Sequence, residues 1–239
     1  MNAGERNEKH QGLALNKPTL SETIAKVMQE NEEFLEKYAH DEFFTVVKLA
    51  NHAIDYLGPF VRHPDSVQFQ TQYAMAYYAV HVSMPFSYAL GLNLLSGNIP
   101  GSFMTLRFLL ESMAICYLAD IRHKAGSTFE ERIALFEVER EQKKWGFTKC
   151  IRIVGKDVGI KQDIGQLYQE FSNQWVHARG VMKTFTDSLV RGALPAWSLV
   201  IPAPYSADDL PEIHKLAKDV LLFDDILKMV LRKFWERSP

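Results

Sequence analysis

Apolar residues along this chain fall into blocks separated by short polar breaks, and the densest block sets the organisation. Between Phe103 and Ile121 stand Met104, Leu106, Phe108, Leu109, Leu110, Met113, Ile115, Cys116, Tyr117 and Leu118. Pro100 and Gly101 precede this run and Gly126 follows it, residue types that start and stop helices. A helix apolar on every side has to be buried. The pattern therefore predicts a central helix over about residues 101–124 that the other helices wrap. Arg107 and Glu111, four apart on one face of it, predict a single internal ion pair.

The flanking blocks also have helical period. Thr19-Leu-Ser-Glu22 has capping-box spacing, and Ile24, Val27, Met28, Phe34, Leu35 and Tyr38 follow it. This first helix is acidic and reads as a solvated face. A second starts at His40-Asp41 and runs until Gly58-Pro59 and His63-Pro64-Asp65 break it. A third is expected from Val67 to Leu95, kinked at Pro85. Thr128-Phe-Glu-Glu131 repeats the capping-box spacing and opens a helix that turns basic through residues 140–156, with Gly155 and Gly159 marking a loop. Ile164–Arg179 is a further helix. Pro195, Pro202 and Pro204 exclude a regular helix over 192–207, where Trp197–Ile201 reads as one short extended piece. Leu210 to about Trp235 is the last helix, acidic at its start and basic at its end, as the helix dipole favours. The sum is an all-α fold: a polar, disordered tail over 1–17 and one domain over 18–239, a bundle of six or seven helices around the buried central one.

Composition changes this picture little. Hydrophobic residues make up 47% of the chain, enough for a sizeable core. A net charge of −2 gives no whole-protein attraction to nucleic acid or to acidic membranes. Cys116 and Cys150 lie in apolar helical surroundings and read as small core residues, which fits a cytoplasmic setting. The first residues have no apolar segment of the signal-peptide kind. Tyr73–Leu95 is about a membrane span in length, but His81, Pro85 and Asn93 interrupt it, and it reads as a buried helix with no membrane partner.

Three groups of residues have the types that chemistry needs. Arg107 before Glu111 is the less favourable order for helix support, so the pair reads as a buried link between helices or as a pocket charge. In Ser172-Asn173-Gln-Trp-Val-His177, Asn173 and His177 share a helical face, with Tyr168, Trp175 and Arg179 on the same helix. His177 is then either a satisfied structural histidine or a proton-transfer group. The cations of 140–156, near Trp145 and Phe147, are either a solvated face or a nucleic-acid surface. Asp120-x-x-His123 and Glu212-x-His214 are single pairs, which do not make a metal site, and no glycine-rich phosphate loop or nucleophile elbow is present. No cofactor is expected.

The string Ser172-Asn173-x-x-x-His177 resembles the signature of the HEPN superfamily (higher eukaryotes and prokaryotes nucleotide-binding domains), Arg, a polar residue that is often Asn, three residues, then His. The earlier Arg107-Phe-Leu-Leu-Glu111-Ser112 followed by Tyr117-Leu118 is similar to the central helix of HEPN-like bacterial and archaeal proteins. The resemblance covers about residues 67–180 and departs from the signature at one position, where Ser172 replaces Arg. It implies an all-α bundle, a homodimer, and metal-independent endoribonuclease chemistry in a defence or stress setting. His177 and Asn173 would be catalytic, and Arg107, Glu111, Tyr168, Ser172 and Arg179 would bind RNA. Because serine cannot supply the arginine's charge, a non-catalytic helical protein binding a protein partner or a small ligand is the alternative.

Overall fold

A computed structural model describes residues 19–63, 65–172 and 203–237. Among these residues the fold is all-α, without strands. Thr19 and Glu22 form the expected capping box at the start of α1 (Leu20–Tyr38). Helix α2 (His40–Val61) runs through Gly58 and Pro59 rather than stopping there. Pro59 cannot donate to the Asp55 carbonyl, yet the helix continues and the Arg62 amide still closes on the Gly58 carbonyl at 3.0 Å.

The expected helix Val67–Leu95 is broken in a different place. Helix α3 (Ser66–Gln72) ends at Tyr73, whose backbone is extended, and α4 (Ala74–Tyr77) restarts at once. The first two amides of α4 donate to the Asp120 carboxylate, at 2.9 Å from Ala74 and 2.8 Å from Met75. A carboxylate from a distant helix thus does the work of a cap. A π-helical stretch, Tyr78–Ser83, follows, and Pro85 stands in the first turn of α5 (Met84–Leu95). The winding is continuous from one to the other, and the wider turn ahead of Pro85 accommodates its ring and its missing amide.

Helix α6 (Ile99–Arg122) is the expected central element. It packs against α4, α5, α7 (Phe129–Gln142), α8 (Phe147–Val158) and α10 (Leu210–Arg237). Leu106, Leu110, Met113 and Tyr117 are all 0% exposed. The helix is not covered all round: Met104 and Phe108 are 45% and 41% exposed, and Phe108 meets Phe86 of α5 at 4.4 Å between ring centres. Among the described residues α6 is also the one helix long and apolar enough to cross a membrane, and most of that stretch lies inside the bundle. At the start of α7, Thr128 caps the Glu131 amide, but the Glu131 carboxylate turns to Ser127, so only half of a capping box forms. Cys116 and Cys150 are both buried free thiols.

Gly155 lies inside α8, not in a loop. A Cβ there would meet Ile164 at 2.5 Å and the Lys161 backbone at 2.8 Å, so glycine is what lets α9 (Lys161–Glu170) pack so closely. Gly159 then ends α8 in the left-handed region. The splitting of the third helix and of the 140–156 region gives more segments than the six or seven expected. Buried Asn31 fastens the segment that leads into the last helix: it donates to the Leu95 and Ala203 carbonyls and accepts from the Tyr205 amide. The tail 1–17 and the extended piece Trp197–Ile201 lie outside the described residues.

Candidate functional site

Arg107 and Glu111 point from α6 toward α9. Arg107 Nε donates to Glu111 Oε1 at 2.8 Å, and the Tyr168 hydroxyl donates to the same oxygen at 3.0 Å. Arg107 Nη2 reaches that hydroxyl at 3.3 Å, and the guanidinium lies 5.2 Å from the centre of the Tyr168 ring. Burial and the Glu111 carboxylate raise the Tyr168 phenol above its usual range, so it stays a neutral donor. One turn on, the Ser172 hydroxyl bonds back to the Tyr168 carbonyl. Arg107 Nη1 is buried and makes no hydrogen bond among the described residues. Arg107, Glu111 and Tyr168 therefore share one hydrogen-bonded group, and Ser172 adjoins it through the Tyr168 backbone. Asn173, His177 and Arg179, with Trp175, lie outside the described residues.

The expected single internal ion pair is not the buried one. The Arg107 and Glu111 side chains keep 16% and 17% exposure, whereas Asp120 and Arg132 keep 2% each. Arg132 Nη1 lies 3.1 Å from Asp120, its Nε donates to the Gly126 carbonyl, and its plane stacks 4.5 Å from the Tyr73 ring centre. A pair this dry is tolerable only when hydrogen bonds satisfy both partners, and here they do.

Sequence reasoning missed Asp219. It projects from α10, and Lys215 and Glu170 lie nearby, 3.8 Å from each other. Lys215 also sits 5.8 Å from the ring centre of Phe103, one turn of α6 before Arg107. Asp219 is buried, its Oδ2 accepts no hydrogen bond among the described residues, and burial pushes its carboxyl up to about 6. A carboxyl poised there can hold or release a proton near neutrality. Nothing local marks it in the sequence, because the absence of a partner is a tertiary fact.

Two other groups have chemical character but different employment. Between α2 and α10, His52 Nδ1 is 2.9 Å from Asp224, which also accepts from Tyr56 at 2.5 Å and Lys228 at 2.6 Å. Burial pushes the Asp224 carboxyl up, but those three donors outweigh it and hold it below the usual range. Of the single pairs that the sequence excludes as a metal site, Asp120 pairs with Arg132, His123 with Glu139 and His214 with Glu42. Among the described residues no cluster of three or more metal-type ligands occurs.

No family model matches the chain, and neither the curated proteins nor the solved structures give a match.

Proposed function

We propose that this is a HEPN-like helical protein that binds RNA and cleaves it slowly without a metal ion, using His177 and Asn173. The observation that carries the reading is Arg107 Nη1, which is buried and has no hydrogen-bond partner among the described residues. The signature requires an arginine where this chain has Ser172, and serine brings no charge. Arg107 lies against Tyr168, one turn before Ser172, and supports the idea that it supplies the missing guanidinium from a neighbouring helix. A guanidinium is always protonated and offers paired donors to phosphate oxygens. Glu111 and Tyr168 fix its other edge, so its orientation precedes any ligand. His177 would move protons between the ribose 2′-hydroxyl and the leaving oxygen.

A second reading, a protein that holds a small ligand, is favoured by one cavity. It encloses about 320 Å³ between the α3–α4 break and the ends of α6 and α10, and is lined by Gln72, Tyr73, Asp120, Ile121, Lys124, Arg132 and Arg237. That is at the low end of ligand-pocket volumes, roughly 300–1,000 Å³. The test is incubation with a labelled RNA pool in EDTA. Wild type should cleave slowly, Ser172→Arg faster, and His177→Ala not at all. No cleavage by the first two, with no RNA held on a filter, removes the RNA reading and leaves the small-ligand one.

A further inference from the structure

Helix α8 has one apolar face and one basic face. Cys150, Ile151 and Val154 are buried, while Lys149, Arg152 and Lys156 lie on the opposite side and are exposed. At 1.5 Å per residue the three cations span roughly 10 Å, and their positions around the helix fall within about 60°. The acids of α7 do not neutralise them. Glu139 is taken by Arg122, His123 and Lys143, and Glu137 by Arg140. Lys149, Arg152 and Lys156 make no ion pair among the described residues, and neither does Lys144 in the turn before α8.

Lys144 carries a second, independent signal. Helix α7 ends in a Schellman motif: the Trp145 amide donates to the Arg140 carbonyl at 2.8 Å and the Lys144 amide to the Glu141 carbonyl at 3.0 Å. That motif needs a left-handed residue, and Lys144 has φ 52°. The α5 and α8 ends place Gly97 and Gly159 in the left-handed region. Among the described residues Lys144 is the one non-glycine with positive φ, a conformation that strains an L side chain. A lysine at that position keeps a charge where glycine would relieve the backbone.

We propose that Lys144, Lys149, Arg152 and Lys156 form a track for the phosphates of single-stranded RNA. The proposal rests on the RNA reading above and adds where the strand lies: on α8, which packs directly against the helix that carries Tyr168. Each of the three cations in the row can neutralise one phosphate of the strand. Trp145 does not add a free stacking surface, because Arg122 and Lys143 lie 5.1 and 4.7 Å from its ring centre. The track therefore reads charge and not base identity.

The experiment is fluorescence anisotropy of labelled oligouridylate between about 50 and 200 mM salt. The triple variant Lys149→Glu, Arg152→Glu, Lys156→Glu should bind about tenfold or more weakly, with a log–log salt slope shallower by about 2, the share of three single-strand phosphates. A control with the same charge change elsewhere, Lys26→Glu, Lys48→Glu, Lys218→Glu, should retain binding. Lys144→Gly should weaken binding while raising Tm, which separates it from a folding defect. Wild-type-like binding by the triple variant overturns the track and leaves the RNA reading intact. Equal loss in the control also overturns it, since net charge alone would then explain the effect. No binding by wild type at low salt overturns both.

Discussion

Burial raises the carboxyls of both Asp219 and Asp120, but their hydrogen-bond partners differ. Asp120 accepts two backbone amides and the Arg132 guanidinium, so its oxygens are occupied. Asp219 Oδ2 has no such donor among the described residues, and burial raises its carboxyl from the usual 3.8 to about 6. A carboxyl raised on folding favours the native state fully below about pH 4, and that contribution is lost as pH rises through about 6. Near neutral pH the ionised Asp219 is thus a cost to the fold. Asp219→Asn should stabilise the protein there by about 1–3 kcal/mol, with the gain vanishing below about pH 4. Paired Tm measurements across pH check this. An Asn variant less stable than wild type at neutral pH would mean that the carboxylate is held by a bond of its own. A natural residue whose removal stabilises is the pattern expected of a group retained for function.

At the scale of elements, the start of α4 depends on a pair contributed by α6 and α7. Arg132 neutralises Asp120, and Asp120 in turn holds the Ala74 and Met75 amides. Arg132→Met should lower stability by about 3–5 kcal/mol by stranding a buried carboxylate, measured by denaturant unfolding. A loss below about 1 kcal/mol would class the pair with exposed ones and leave the α3–α4 break without its support. This is also where the sequence was least readable. The ends of α1 and the course of α6 follow from local signals, the Thr19–Glu22 box and the apolar run, and appear where expected. The break at Tyr73 depends on the Asp120 carboxylate, 46 residues beyond the Ala74 amide that it holds, which no periodicity reports. Likewise, the meeting of Arg107 and Glu111 with Tyr168 joins residues more than fifty apart, which no local pattern reports, and Asp219 lies outside any motif.

At the scale of the molecule, α6 links the parts. Its buried side carries Leu106, Leu110 and Tyr117, and the Tyr117 hydroxyl reaches Asp157 of α8 at 2.5 Å, which Arg237 of α10 also clasps. The other side presents Arg107 to α9, so the helix that holds the core together also positions the guanidinium on which the proposed activity depends. The direct measurement is single-turnover cleavage of labelled RNA in EDTA by wild type and Arg107→Lys. Lysine keeps a positive charge but cannot make the same fixed set of bonds to Glu111, Tyr168 and a phosphate. Cleavage should slow by about 10²–10³-fold, the usual effect of losing one preorganised donor, while filter retention of RNA stays within about threefold. Equal cleavage rates for the two proteins would contradict the proposed role of Arg107.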